Sequence, residues 1–286
     1  MTLEFTHPLT PSRQGRGKRV CKSHMNKMKK EIHARLQQLE QQEKVCILYA
    51  CESGSRAWGF PSADSDYDVR FLYIHPKDWY LSIDEKRDVI DQQGNNLIDL
   101  CGWDIRKALK LFRKSNPPLL EWLNSPIVYQ QRFHVVDEIK GMIPEYYSPK
   151  SCLYHYLHMA ERNFREYLKG EVVWVKKYFY VLRPILACKW IEAGYGVVPM
   201  EFEKLVNRTV ESEELKLAIS ELLWRKTSGQ ELDRGPRLPV ISEFVETELE
   251  RLGSKKPDGA GIKADTEKLD KLFRSALEEV WQEKTG

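Results

Sequence analysis

The chain has 286 residues, 42% of them hydrophobic and 30% charged, which suits a packed core in one large domain or two modest ones and excludes a disordered chain. A net charge of only +3 excludes a general polycation, and no apolar run is long enough to span a bilayer. Six scattered cysteines with no Cys-x-x-Cys pair exclude a zinc ribbon or a disulfide scaffold; with no apolar signal segment at the start, they point to reduced thiols in a cytoplasmic protein with no membrane association.

In chain order, residues 1–22 read as a flexible basic arm. Arg13, Arg16, Lys18, Arg19, Lys22, Lys27, Lys29 and Lys30 cluster there and just beyond with almost no acid among them. Such a cluster either attracts a polyanion or is a solvated tail. Met25, Met28, Ile32, Leu36 and Leu39 recur at helical spacing behind Ser23, so the pattern predicts an amphipathic helix capped by Ser23. "VCILYACE" is a short continuous apolar run, a buried strand. "GSRAWGFPSADS" is turn-rich, with a short helix starting at Ser55–Trp58. "DYDVRFLYI" alternates and predicts a second strand; "NNLIDLCGW" predicts a third, with Leu97, Asp99 and Cys101 on one face.

Asp104 then caps a helix, "IRKALKLFRKS", whose buried stripe is Ile105, Ala108, Leu109 and Phe112, and Asn116-Pro117-Pro118 stops it. "LLEWLNSPIVYQ" and "FHVVDEIKGMIPEYYS" predict two further helices. From Ser148 onward the segments open on caps, close on glycines and show no strand signal, so the second half is predicted to be all-helical, with a linker at 253–263 before one last helix. The expected class is α+β: a small mixed sheet with flanking helices over 23–147, then a helical domain over 148–286.

Asp66 and Asp68 carry the chemistry. Residues two apart on a strand share a face, so Asp66, Asp68 and Arg70 line one side while Tyr67, Val69 and Phe71 line the core side. Two adjacent carboxylates repel, and a bound divalent cation relieves the conflict. Mg²⁺ takes one or two carboxylates plus substrate phosphates. A third carboxylate on a neighbouring strand completes a two-metal site or supplies a base, and Asp99 is placed for that. Gly54 lets the backbone approach a phosphate, and Ser55 adds a hydroxyl donor. Together these segments suit a nucleoside triphosphate and its metal. The alternative, a solvated strand end with Ser65-Asp66 in a turn, leaves the Gly-Ser spacing unexplained.

"GSRAWGFPSADSDYDVRFLY" resembles the Gly-Ser … Asp-x-Asp signature of the DNA polymerase beta nucleotidyltransferase superfamily, and more closely the predicted nucleotidyltransferases associated with RNA-ligase repair systems. "GWDIRKALKLFRKSNPPLLEWLNSPIVY" and "KKYFYVLRPILACKWIEAG" extend the resemblance over about residues 45–205. It implies that residues 23–147 form the catalytic domain, that Asp66 and Asp68 bind metal (two Mg²⁺ ions, or Mn²⁺), and that Gly54 and Ser55 hold phosphate. Asp99 matches the third carboxylate, with Asp104 its rival. The implied reaction moves a nucleoside monophosphate from an NTP to a hydroxyl acceptor and releases pyrophosphate. The acceptor is an RNA end, a protein or a small molecule.

Lys176, Tyr180 and Arg183 fall on one helix face, a ridge suited to the triphosphate tail; Lys177 replaces Lys176 if the helix is rotated, and Pro184 is expected to kink it. Arg56 and Arg70 stand near the site in sequence, able to pair with phosphate or with the aspartates. His155 and His158 at i, i+3 suit a metal only with a third ligand. A glycosyltransferase also uses Asp-x-Asp, but the upstream Gly-Ser turn argues against that reading. The non-enzymatic alternative is an inactive relative that binds RNA or a partner protein. Base preference and oligomeric state leave no mark in the sequence.

Overall fold

In the computed structural model, the described residues are 14–92, 97–230, 232–254 and 265–282, with side chains from residue 26 onward. A long helix α1 (Gln14–Glu43) leads into β1 (Cys46–Glu52), α2 (Gly54–Trp58), β2 (Tyr67–Ile74), α3 (Lys77–Tyr80), β3 (Val89–Gln92) and β4 (Ile98–Asp104). Then come α4 (Ile105–Arg113), α5 (Pro117–Leu123), β5 (Val128–Gln131), α6 (Val135–Tyr146), α7 (Pro149–Asn163), β6 (Val172–Trp174) and α8 (Tyr178–Glu192). The chain closes with α9 (Phe202–Thr209), α10 (Glu213–Thr227), β7 (Arg234–Pro236), α11 (Pro239–Ser254) and α12 (Thr266–Val280). The class is α+β, with a small mixed sheet and a largely helical second half, as the sequence pattern predicts.

The sheet has the order β3-β4-β2-β1-β5. β1 pairs antiparallel with β2 and β5, β2 runs parallel to β4, and β3 closes the other edge antiparallel to β4. The parallel register sets Asp68 directly beside Asp99. Both faces are covered, which is why β1 reads as one apolar run. On one face α1 lays Met28, Ile32, Leu36 and Leu39 over Ile47, Ala50, Val69, Phe71 and Tyr73. On the other, Leu48, Cys51, Leu72 and Ile74 join a continuous core with α4, α5, α6, α8 and α11. A register irregularity between Ile47 and Tyr49 turns two successive β1 side chains, Leu48 and Tyr49, toward that second core.

Several expectations are corrected. α1 begins at Gln14, so Ser23 lies inside the helix and does not start it. The rest of the expected arm, 1–13, and most of the expected linker, 255–263, lie outside the described residues. "IVYQ" is not the end of a helix: Asn124 closes α5, and Val128–Gln131 becomes an edge strand on β1, with Val128 opposite Cys51, Gln130 opposite Ala50 and Gln131 opposite Tyr49. β3 and α3 were not expected; both lie in the crossover that the parallel β2–β4 pair requires. The second half is helical apart from a ribbon, β6 with β7. Residues 172–177 are therefore strand and 3₁₀ turn, and α8 starts only at Tyr178. Pro184 lies inside that helix.

Candidate active site

The turn after β1 and the start of β2 are bound to each other. Ser53 N donates to the Asp68 carbonyl at 2.8 Å, and Asp68 N donates to Glu52 Oε1 at 2.8 Å. Gly54 follows with φ +55°, and a Cβ there would lie 2.0 Å from Asp68 Oδ2. Only glycine meets both demands, the left-handed backbone and the close approach of a carboxylate. Arg56 fixes the other end of the loop: its guanidinium donates to the carbonyls of Ser65 (2.6 Å) and Asp66 (3.1 Å) and stacks on the Tyr67 ring at 3.7 Å. This places Arg56 as a brace for the loop before the aspartates.

A cleft of about 180 Å³ opens beside this loop. Ser55, Asp64, Asp66 and Asp68 line it with a hydroxyl and three carboxylates; Lys176 and Lys226 line it with two cations; Phe60, Phe179 and Tyr180 supply aromatic surface. Phe60 stacks on Phe179 at 4.7 Å between ring centroids, so the aromatic surface is fixed by the core beneath it. Lys176 is positioned by the 3₁₀ turn, whose Val175 and Lys176 amides donate to the carbonyls of Asp233 and Leu232 at 2.9 Å each. Lys226 sits in the last turn of α10, where a cation suits the helix dipole. It is only 8% exposed, and burial, then the nearby charge of Lys176, lowers its pKa below the ordinary lysine value against the pull of Asp64. Lys226 forms no ion pair among the described residues, and because an unpaired buried cation is costly, an anionic ligand would offset that cost.

The carboxylates are unevenly compensated. Burial pushes the Asp68 carboxyl above its usual range; Arg70 opposes the shift, while Asp99 and Asp66 add to it. Arg70 bridges the two strands, with its guanidinium 2.9 Å from Asp99 Oδ2 and 3.4 Å from Asp68 Oδ1. Behind Asp68, Glu52 is fully buried and accepts a hydrogen bond from Tyr129 Oη. Burial, opposed by its two hydrogen bonds and reinforced by the charge of Asp68, raises the Glu52 pKa to about 7.

Of the residues singled out from sequence, Ser55, Asp66, Asp68 and Lys176 share the cleft, Gly54 touches Asp68, and Asp99 adjoins Asp68 across the sheet. Four others stand elsewhere. Lys177 lies against the Tyr167 and Tyr180 rings, 4.4 and 4.6 Å from their centroids. Arg183 is buried behind Trp58 in an ion pair with Glu121 at 2.8 Å and does not line the cleft. Asp104 caps α4, accepts from Arg106 N (2.8 Å) and Tyr80 Oη (2.6 Å), and sits at the far end of β4 from Asp99. His158 pairs with its helical neighbour Glu161 at 3.3 Å.

Lys226, Glu52 and Tyr129 escaped the sequence reading. Lys226 reads as one cation among several on α10, and nothing local says that α10 brings it to the cleft. Glu52 had a readable signal, a carboxylate at the end of an otherwise apolar strand immediately before Ser-Gly-Ser.

Among the described residues, no three His, Cys, Asp or Glu side chains are grouped closely enough to hold a metal ion by themselves. The pair Asp66 and Asp68 nevertheless suits a hard cation. Both face one cleft, Asp68 is under-compensated, and Mg²⁺ needs only one or two protein carboxylates beside substrate phosphates.

Three similarities to known proteins are found. The family model described as "RNA repair pathway DNA polymerase beta family" matches residues 28–275. The chain is 49% identical over 257 residues to the uncharacterized protein YcgL of Bacillus subtilis (strain 168), covering 90% of this chain and 99% of that protein. A crystal structure of a nucleotidyltransferase-like protein from Exiguobacterium sibiricum 255-15 shares 12% identity over 90% of this chain and 91% of its own, with a TM-score of 0.32.

Proposed function

The chain belongs to the RNA repair pathway DNA polymerase beta family, and on that footing we propose that it transfers a nucleoside monophosphate from an NTP to a hydroxyl at an RNA end. The oxygen of the acceptor forms a bond to the α-phosphorus, the bond from that phosphorus to the oxygen bridging the β-phosphate breaks, pyrophosphate leaves, and the hydroxyl proton is released. The observation that carries the reading is one cleft lined by three carboxylates and two lysines. A triphosphate is the kind of ligand that would satisfy both sets of charges, provided a cation accompanies it.

Asp66 and Asp68 would hold Mg²⁺ or Mn²⁺, one or two ions with Asp99 as the third carboxylate, and the metal would supply charge for the departing pyrophosphate and acidify the acceptor hydroxyl. The protein's own groups do the rest. Gly54 and Ser55 admit the phosphates, with the Ser55 hydroxyl as donor. Lys176 and Lys226 neutralise the β- and γ-phosphates. Arg70 holds the Asp99 carboxylate in a fixed orientation beside Asp68. Phe60, Phe179 and Tyr180 shield one side of the cleft from water, which strengthens the charge interactions within it. The reading includes a cytoplasmic setting, supported by free cysteines at 46, 51, 101, 152 and 188.

A second reading, an inactive relative that binds RNA or a partner protein, draws support from Arg70, which already partly neutralises Asp68 and Asp99 without a metal. Calorimetry and activity together separate the two. The wild-type protein with Mg²⁺ is expected to bind an NTP and modify an RNA acceptor. Asp66→Asn and Asp68→Asn are expected to lower transfer by about a hundred- to a thousandfold while melting within a few degrees of wild type, as loss of a charge-stabilising group does. Full activity in both variants would remove the site assignment, and absence of NTP binding and transfer with both Mg²⁺ and Mn²⁺ would favour the second reading.

A further inference from the structure

Away from the cleft, α4 presents Arg106, Lys110 and Arg113 at i, i+4 and i+7, one face of a helix, along a groove of about 280 Å³ between α4 and α12. The floor is apolar, formed by Leu109, Leu269 and Phe273. Asp270 is the one carboxylate among the lining residues, and none of the three cations forms an ion pair among the described residues. Arg113 donates to the Thr266 hydroxyl at 2.9 Å, and Arg106 lies over the Tyr80 ring at 5.3 Å. Lys110 and Arg113, near the C-terminus of α4, suit the helix dipole. Arg106, in the first turn, opposes it, so helix stability does not explain the row as a whole.

We infer that this groove is a docking surface for the phosphodiester backbone of single-stranded RNA, engaging the acceptor strand at a distance from its reacting end. The inference rests on the reading of the acceptor as RNA. Charge complementarity and spacing carry it. Cations at 106, 110 and 113 span roughly 10 Å along the helix axis, a row matched to the evenly repeated charge of a nucleic acid strand. Arg, Lys and an apolar-aromatic floor are the components from which sequence-tolerant single-strand grooves are built. Position adds to the case. α4 packs its Ile105, Ala108, Leu109 and Phe112 into the core on the same sheet face that carries Asp68 and Arg70. It starts at the opposite end of β4 from Asp99, five residues and so about 17 Å along the strand. A strand held on α4 would therefore reach the cleft only with several nucleotides to spare, making the enzyme selective for polymer over nucleoside acceptors.

The test is the salt dependence of binding a labelled single-stranded RNA by the full-length protein, measured by fluorescence anisotropy between 50 and 200 mM salt. The comparison is with Arg106→Gln/Lys110→Gln/Arg113→Gln, checked for native melting, and with Lys110→Gln/Arg113→Gln in case loss of Arg106 loosens Tyr80. Three lost phosphate contacts should reduce the log–log slope by about 2, so that wild type loses about 20-fold more affinity than the triple variant over that range. NTP affinity should stay unchanged. An unchanged slope in both variants, or competition by poly-glutamate as effective per charge as RNA, would overturn the inference. The readout needs no catalysis, so a shifted slope in a protein that transfers no nucleotide would leave the groove standing and remove only the catalytic reading.

Discussion

At the scale of single residues, the site depends on a carboxylate that never reaches solvent. Glu52 uses one oxygen for the Asp68 amide and the other for Tyr129, and thereby holds the backbone of Asp68 against the Gly-Ser turn. Burial raises its pKa from 4.5 to about 7. A raised acid pKa means that the folded state binds an extra proton between those values. The stability that proton confers is complete below pH 4.5 and is lost as pH rises through 7. Glu52→Gln keeps an acceptor for Asp68 and a polar partner for Tyr129 without the ionisation. We expect it to flatten the decline in chemical-denaturation stability between about pH 4.5 and 7, an effect of no more than about 3 kcal/mol. A variant with the same pH slope as wild type would show that Glu52 does not titrate there. Asp66, Asp68 and Gly54 were legible because the motif is local. Asp104 was legible as a helix cap for the same reason, which left Asp99 as the neighbour of Asp68. The role of Glu52 was not, because its partner Tyr129 comes from a strand on the other side of β1.

At the scale of elements, the loop between β1 and β2 is fixed by backbone geometry more than by side chains. Gly54 at φ +55°, pressed against Asp68 Oδ2, makes Gly54→Ala the sharpest local test. The left-handed conformation alone costs an alanine about 1–2 kcal/mol, and the carboxylate must also move. The melting temperature should fall by several degrees, with transfer activity falling further than stability explains. A variant with wild-type melting and wild-type activity would contradict the geometry. Helices with whole amphipathic stripes, such as α4, were legible from their spacing, as was β2 from its alternation. β5 and the β6–β7 ribbon were not, since strands of three or four residues carry too little pattern and gain their stability from the strand they join. The same shortfall displaced the expected Lys-Arg ridge. With residues 172–177 in strand and 3₁₀ turn, Lys176 is carried into the cleft on that turn and Arg183 is carried into the core on α8.

At the scale of the whole molecule, the cleft exists because one hydrophobic core joins the sheet to the helical half. Phe60, from the loop after α2, packs on Phe179 of α8 and Phe202 of α9, which clamps the acidic loop to the helical half that also supplies Lys176 and Lys226. Neither half alone supplies both the carboxylates and the lysines that line it. Sequence patterns gave each half its class but not the way the two meet, because that contact is made by residues far apart in the chain with no shared motif. The central claim, that this cleft moves a nucleoside monophosphate, is tested most directly by the fate of two labels. RNA acceptors are incubated with Mg²⁺ and an NTP labelled either at the α- or at the γ-phosphate. The account predicts that the α-label enters the RNA and the γ-label leaves as pyrophosphate. Entry of the γ-label into the acceptor, or of neither label with any of the four NTPs, would contradict it.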